Sequence, residues 1–547
     1  MYNIEYVESE KVWCGPRLDV KPTGLGEAIL KILKERDPEQ IYEIFHDNGT
    51  HVTNKEIREK TITAAQNLLN LGVKKGDVVV FFTYSKLNLT PLSFACYTIG
   101  APVCYFDIHI NDVNIPEYFV KLDPTVIVYE EKFKSMVFNG IKGLTLPKLK
   151  HILSFNGKGQ NSIDDLIFKP PVDIENFQIP NIGNPDYLPA NLAFTSGSTG
   201  LPKIVMLSHS MMIQGPNIPY LGKQGSVSMV LSEIRWIAQI ISMLQPAFNN
   251  ETRVYSSIVP PELTSEMARN MVDAHKVTHY AGVPAFFLGL LEAAEKSNEP
   301  STLSSLKFAL LVGENIGDAC EGYFARITPN CKIVRFYGMT EVVGGIASSA
   351  FDSRDNVNGG VLRSGFKVKI IDKNQKLLGH NEIGQICVKT SHPFLGYLKD
   401  KKANEETFIE DGWLNTGDLG MFDSDNLLNV FSREKYVLHY SDGKILMPNI
   451  IENIVNNFEG VRSSVLVGRP SKENSKEDVG TIFVVFKNPS HSIDVENNLR
   501  DYLKKKLTKE QMKIIKYLKV LEELPKTTCS KVDRIALKEM LNGGAEI

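Results

Sequence analysis

Residues 194–203 read Phe-Thr-Ser-Gly-Ser-Thr-Gly-Leu-Pro-Lys, a run of hydroxyls and glycines closed by a lysine. Gly197 and Gly200 let backbone N–H groups converge with no Cβ in the way, forming a concave anion nest. Thr195, Ser196, Ser198 and Thr199 add hydroxyl donors, and Lys203 adds a compact positive charge suited to phosphate. Such a loop could hold a polyphosphate. It is not a Walker loop, because Leu201-Pro202 separate the last glycine from the lysine and Pro202 disfavours helix at Leu201. Taken alone, the same residues also make an ordinary polar turn between two strands.

Four more stretches carry related chemistry. Phe336-Tyr337-Gly338-Met339-Thr340-Glu341 offers an aromatic face, a hydroxyl and a carboxylate able to hold Mg²⁺. It follows the buried-type run 332–336, and strand ends of doubly wound sheets are where ligands bind. Gly417-Asp418 places a carboxylate in a glycine turn, where it can accept from two ribose hydroxyls. Arg433 and Lys435 follow an apolar run at a change in composition, and Lys531 sits on the polar loop 525–534. Singly, a strand exit, a turn, a surface pair and a solvated lysine would explain these. Their joint occurrence in this order argues otherwise.

The elements that must position them follow from periodicity. Thr53 and Glu56 form a capping box, and Ile57, Ala64, Ala65, Leu68 and Leu69 share one helical face behind it. Apolar strands at 78–82, near Val103 and at 126–128 alternate with a helix over 92–99, which predicts a parallel, doubly wound α/β sheet. Residues 156–190 read as a passage between lobes, 234–248 and 262–275 as helices, and 306–312 as a strand. Short glycine-separated runs over about 358–431 predict a β-rich subdomain. Beyond 433, strands at 461–467 and 481–486, a helix over 494–507 and a basic stretch before Leu524-Pro525 form a small α+β piece.

Length and composition exclude several classes. A chain of 547 residues exceeds one ordinary core, so two or more domains are expected. Net charge of −3 gives no nucleic-acid footprint, and the seven scattered cysteines suggest neither a disulfide framework nor a zinc site. No run approaches a membrane span, the N-terminus lacks the apolar core of a signal peptide, and the C-terminus lacks a peroxisomal tripeptide. A cytoplasmic setting is the expectation.

Together these stretches, with Asn250-Glu-Thr-Arg-Val and Gly-Tyr-Leu-Lys-Asp at 396–400, resemble the adenylate-forming superfamily: acyl-CoA synthetases, 4-coumarate–CoA ligases and firefly luciferase. The resemblance runs from about residue 50 to 540. It implies an N-terminal adenylation domain over 1–432, a hinge at 433–436 around Lys435, and a swinging C-terminal domain over 437–547. It further implies ATP and Mg²⁺ as cofactors, CoA as co-substrate, and a fatty or aromatic carboxylic acid activated to its adenylate and passed to CoA. By the same resemblance Tyr337 packs on adenine with Gly313, Glu314 and Asn315 beside it, and Gly338 and Met339 continue the nucleotide site. Thr340 contacts the α-phosphate, Glu341 holds Mg²⁺, Asp418 binds ribose with Arg433, and Lys531 bridges carboxylate and phosphate.

The chain departs from that pattern in places. Ile204 stands where a glycine is usual after the lysine, Gln385 where a glutamate is usual, and Ser530 where a glycine precedes the C-terminal lysine. The stretch from Leu438 to Ile450 has His439 for a lysine, one extra residue, and Ile450 for a glutamate. In the family this segment serves the thioester step, so adenylation is better supported than thiolation. An altered second half-reaction, luciferase-like or without CoA, and a catalytically weak nucleotide-binding homologue are the alternatives. For the acid, Trp236 either lines the pocket or joins the core, and Arg235 either serves carboxylate or CoA or lies at the surface. Val342, Val343 and Gly344 are expected in the pocket wall.

Overall fold

A computed structural model describes residues 4–542 apart from 19–21, 156–160, 171–172, 196–201, 217–224, 261, 298, 300–301, 314–317, 350–358, 473, 475, 488–492 and 528–530. The chain is mixed α/β and organised on two large sheets, with helices between and around them. The six-stranded sheet runs in the order Ile204–Ser208, Pro189–Phe194, Val103–Tyr105, Val79–Phe82, Val126–Glu130, His151–Phe155. Its strands are parallel except Ile204–Ser208, which pairs antiparallel with Pro189–Phe194. Full burial of Val79 to Phe82 explains why that strand reads as an unbroken apolar run. The capping box of Thr53 and Glu56 is present with both of its hydrogen bonds, opening helix Asn54–Asn70.

Among the described residues the second sheet has sixteen strands. From Ile41–Phe45 through Thr252–Tyr255, Val227–Val230, His279–Gly282 and Phe308–Val312 to Lys332–Met339 every pairing is parallel. Beyond Lys332–Met339 it turns antiparallel and continues through Gly344–Ser348, Gly359–Leu362 and Leu428–Arg433 to Trp413–Phe422. The β-rich region is therefore not a separate sheet; its strands are hydrogen-bonded into the one that carries Tyr337. It also recruits a hairpin the periodicity did not reveal, Glu5–Val7 with Val12–Cys14, whose second strand pairs with Phe366–Ile371. Trp13 anchors the hairpin by stacking on Phe422 at 4.1 Å and donating to Asn426 Oδ1 at 2.9 Å. Three-residue strands carry too little pattern to be read, and one buried tryptophan does the work of a longer run.

Two helix starts also differ from the expectation. The helix expected from Ile234 begins at Ile237 with Trp236 as its N-cap, and that expected from Glu262 begins at Ser265, capped by Thr264. A hydroxyl cap decides the second case, since Thr264 accepts from the Met267 amide.

The C-terminal part builds a sheet of its own from Val461–Pro470, Asp478–Phe486 and the edge strand Ile515–Val520. Helices Pro448–Asn456, Ile493–Lys506, Lys509–Ile514 and Arg534–Asn542 accompany it. Leu438, Ile451, Leu466, Ile482, Val484 and Leu499 form a core that is separate from those of the two large sheets.

Candidate active site

A cavity of about 440 Å³ lies where the ends of both large sheets meet the C-terminal part, and residues from all three line it. The hydroxyl-rich loop enters from the six-stranded sheet. Its base is fastened: the Thr195 amide donates to the Lys203 carbonyl at 2.9 Å, and the Lys203 amide donates to Thr195 Oγ1 at 3.2 Å. Thr195 and Lys203 both line the cavity. Ser196, Gly197, Ser198, Thr199 and Gly200 lie outside the described residues, as do Glu314, Asn315 and Ser530.

The parallel strand that ends at Met339 delivers the next group. Gly338 and Gly344 cross so closely that a Cβ at Gly338 would lie 1.8 Å from the Gly344 carbonyl oxygen, which restricts position 338 to glycine. The tight crossing leads into a single 3₁₀ turn, Thr340–Val342, and sets Thr340 and Glu341 on the cavity wall. Glu341 is buried, and its Oε1 accepts the Tyr397 hydroxyl at 2.6 Å. Lys203 Nζ stands 4.8 Å from the centre of the same tyrosine ring, within cation–π range. Tyr397 is held by the Gly396-Tyr-Leu segment, which bonds along Ile204–Ser208 through Met206 N to Gly396 O and Leu398 N to Ile204 O.

Asp418 and Arg433 face each other across neighbouring antiparallel strands. The Asp418 carboxylate accepts Tyr337 Oη–H at 2.8 Å and Arg433 Nε–H at 2.9 Å. Burial raises the Asp418 carboxyl above its usual range, and Arg433 partly offsets this. Burial, then the Asp418 charge, pushes the Tyr337 phenol well above its ordinary value, while Asp418 raises Arg433. Lys435 sits in the single turn Glu434–Tyr436 that follows. Its ammonium is brought down to about 8, first by desolvation and then by Arg433.

Lys531 comes from the C-terminal part. Its loop is pinned by a bridge between Lys526 and Val532 and by Thr527 N donating to Lys531 O at 2.7 Å. The side chain crosses to the other part of the molecule and lies over Gly313. A Cβ on Gly313 would come within 2.7 Å of Lys531 Cε and 3.1 Å of Nζ, and φ there is +92°. Lys531, the base of the glycine loop, Arg433 and Glu341 thus share one cavity, with Asp418 bonded to Arg433 beside it.

A model described as AMP-binding enzyme matches residues 34–398 of the chain. The chain belongs to this family. Among relatives, a 4-coumarate–CoA ligase of Humulus lupulus is 25% identical over 517 residues, covering 90% of this chain and 89% of its own. Another of Solanum tuberosum is 28% identical over 395 residues, 69% of each chain. The crystal structure of anthranilate CoA ligase AuaEII in complex with anthranoyl-AMP superimposes with TM-score 0.83 at 20% identity, covering 95% of this chain and 98% of that one. ATP-bound MatB from Rhodopseudomonas palustris gives 0.81 at 20% identity, covering 95% and 99%.

The other end of the cavity in this AMP-binding enzyme is apolar. Helix Ile237–Asn249 presents Ile237, Ile241 and Gln245, spaced four apart and therefore on one face. Val230, Ala281, Val283, Phe286, Leu310, Val312 and Phe336 complete the wall, and Trp236 lines it as the pocket reading requires.

Arg235 and two of the expected wall residues do otherwise. Arg235 is neither a ligand group nor a surface residue: it is 1% exposed, with Asp107 Oδ2 at 2.5 Å and Glu233 Oε2 at 2.7 Å. The helix N-cap turn points its guanidinium backward, 4.2 Å over the Trp236 ring, and brings Glu233 to the cavity instead. Glu233 also receives His109 Nε2 at 2.9 Å. Val342 and Val343 pack into the core at 4% and 2% exposure, and only Gly344 reaches the cavity. Val343 adopts φ of +57°, which turns its side chain toward Gly215. The strand-to-turn reversal after Glu341 is what rotates both valines inward.

The departures have local explanations. Ile204 is 3% exposed within the core of the six-stranded sheet. Gln385 Nε2 donates to both carboxylate oxygens of Glu434, at 2.9 and 2.8 Å, where a glutamate would meet like charge. Leu438–His439 and Ile445–Leu446 form a small hairpin, with His439 N and Nδ1 directed at Asp478 Oδ2 at 2.7 and 3.0 Å. Tyr397 was within reach of the sequence, inside a stretch already singled out; Glu233, Gln245 and Phe286 carried no signal beyond ordinary helix composition.

Proposed function

We propose that this enzyme uses ATP to activate an apolar carboxylic acid, fatty or aromatic, to its acyl-adenylate and then transfers the acyl group to CoA. In the first step a carboxylate oxygen forms a bond to the α-phosphorus, and the bond from that phosphorus to the bridging oxygen of pyrophosphate breaks. In the second the CoA thiol attacks the acyl carbon, its proton is lost to solvent, and AMP leaves.

The observation that carries this reading is Lys531 crossing over Gly313 into a cavity that Arg433 also lines, with Asp418 accepting from both Arg433 and Tyr337 beside it. Two anions must approach for adenylation, and an ammonium placed between them offsets their repulsion and the charge developing on phosphorus. Asp418, already accepting from Tyr337 and Arg433, has the remaining lone pairs to take ribose hydroxyls. Thr195 and Lys203 belong at the β- and γ-phosphates and Thr340 at the α-phosphate. Glu341 suits Mg²⁺: its Oε2 has no protein partner among the described residues, and Mg²⁺ commonly takes one carboxylate plus substrate phosphates. Bound there, the ion supplies further neutralisation of phosphate charge. The turn Glu434–Tyr436 around Lys435 is the hinge, and the part beyond it the moving domain that withdraws Lys531 before thiolation.

A second reading keeps the adenylation and changes the acceptor. The hairpin after the hinge favours it, because His439 there is spent on Asp478. ATP–pyrophosphate exchange with a panel of carboxylic acids, followed by thioester detection with and without CoA, tests both. Exchange with an apolar acid is expected. Exchange without thioester selects the second reading, and no exchange with any acid overturns both.

A further inference from the structure

Residues 501–520 carry seven lysines against two carboxylates, in a chain whose 61 basic and 64 acidic residues leave it slightly negative. The fold gathers four of the lysines around one surface hollow. Lys504 lies in the last turn of helix Ile493–Lys506, Lys509 and Lys513 lie on helix Lys509–Ile514, and Lys516 is near the start of the edge strand Ile515–Val520. The hollow measures about 380 Å³, and Leu507 and Met512 form its floor.

All four lysines are exposed. Lys504 pairs with Asp501 at 2.9 Å, whereas Lys509, Lys513 and Lys516 have no carboxylate partner among the described residues. Glu510, the one acidic residue on the short helix, reaches 4.0 Å toward Lys444. Lys509 and Lys513 are four apart on that helix, a like-charge spacing that weakens it slightly. Tyr517, 43% exposed, and Lys519 extend the patch along the strand. Lysines on an edge strand deter unwanted strand pairing, which accounts for Lys516 and Lys519. It does not account for the helical lysines converging on the same hollow.

We infer that this face docks on an anionic phospholipid bilayer. The patch unites what such a surface selects: clustered point charges, an apolar floor and an exposed tyrosine. The charges are lysines, which lack the planar fork that fixes a discrete phosphate ligand. The rest of the chain is net negative, so a long flexible polyanion would be repelled as it left the patch, whereas a planar surface can meet this face alone. None of these residues lines the nucleotide cavity, so docking leaves the chemistry accessible.

Sedimentation of the full-length protein with phosphatidylcholine vesicles, with and without phosphatidylserine, tests this at low and high salt. Binding is expected only with phosphatidylserine, and salt should abolish it. Replacing Lys509→Gln, Lys513→Gln and Lys516→Gln together should weaken binding about a hundredfold, at roughly fivefold per lysine. ATP–pyrophosphate exchange by that variant should match the parent, which shows that it folds. Equal binding to both vesicle types, binding to neither, or an unaltered triple variant would overturn the inference.

Discussion

Two arginines meet carboxylates beside the same cavity, and they serve opposite ends. Arg433 reaches Asp418 from an adjacent strand with 42% of its side chain exposed, and Arg433 lines the cavity. Arg235 reaches Asp107 and Glu233 with 1% exposed, and its guanidinium lies behind the wall. In sequence both are an arginine within two residues of a glutamate. The difference arises because one sits at the end of a strand beside the cavity and the other just before a helix N-cap, facing the core. An open pair has lone pairs left for a ligand, whereas a closed cluster spends its donors on protein.

Removing the closed cluster's centre should produce the largest effect. Arg235→Ala strands Asp107 and Glu233 in the interior, which should lower unfolding free energy by about 3–5 kcal/mol in urea titration. The KM for ATP should barely move in protein that remains folded. A raised KM at unchanged stability would collapse the distinction. Lys531→Ala should instead leave stability alone and slow pyrophosphate exchange about a thousandfold, the scale of losing one transition-state donor. Thiolation of a supplied acyl-adenylate should survive, and equal loss of both half-reactions would remove the case for a withdrawn lysine.

Asp418→Asn is the smaller counterpart at the open pair. Loss of charged hydrogen bonds to ribose should raise the KM for ATP by about 10- to 100-fold, corresponding to roughly 1.5–3 kcal/mol. Substrates lacking ribose hydroxyls should lose their disadvantage in this variant. The smallest effect concerns pH. Glu233 bonding raises the His109 imidazole above 6.5. Its contribution is therefore complete below pH 6.5 and is lost as pH rises through the higher folded value. The urea midpoint of the parent should fall over that window, and His109→Gln should flatten the slope. A slope that persists in the variant would place the titration elsewhere.

The polar end of the cavity was the legible part. Hydroxyls, glycines and charges at strand ends announce their chemistry locally: Arg433, Glu341 and Lys531 line one cavity, and Asp418 bonds Arg433 and Tyr337 beside it. The apolar end was less legible, because an apolar side chain reads alike whether it faces a pocket or a core. Val342 and Val343 follow the glutamate closely in sequence, yet the turn after Glu341, with φ of +57° at Val343, buries both. Arg235 was misplaced for a similar reason: its partner Asp107 lies 128 residues upstream, and only the fold brings them together. Helix Asn54–Asn70 and the buried strands followed their periodicity, whereas the hairpin Glu5–Val7 with Val12–Cys14 depends on tertiary pairing that no local pattern encodes.

That hairpin has a consequence for synthesis. Val12, Trp13 and Cys14 pair with Lys369, Val368 and Lys367, so this hairpin waits for partners synthesised more than 350 residues later. At ordinary elongation rates of about 5–20 residues per second, the interval is roughly 20–70 s. Throughout it, a tryptophan and an unpaired strand edge stay without their native cover, a window in which chaperone capture competes with aggregation. Shielding that short leader on the nascent chain, more than stabilising the finished enzyme, should govern how much of it a cell recovers.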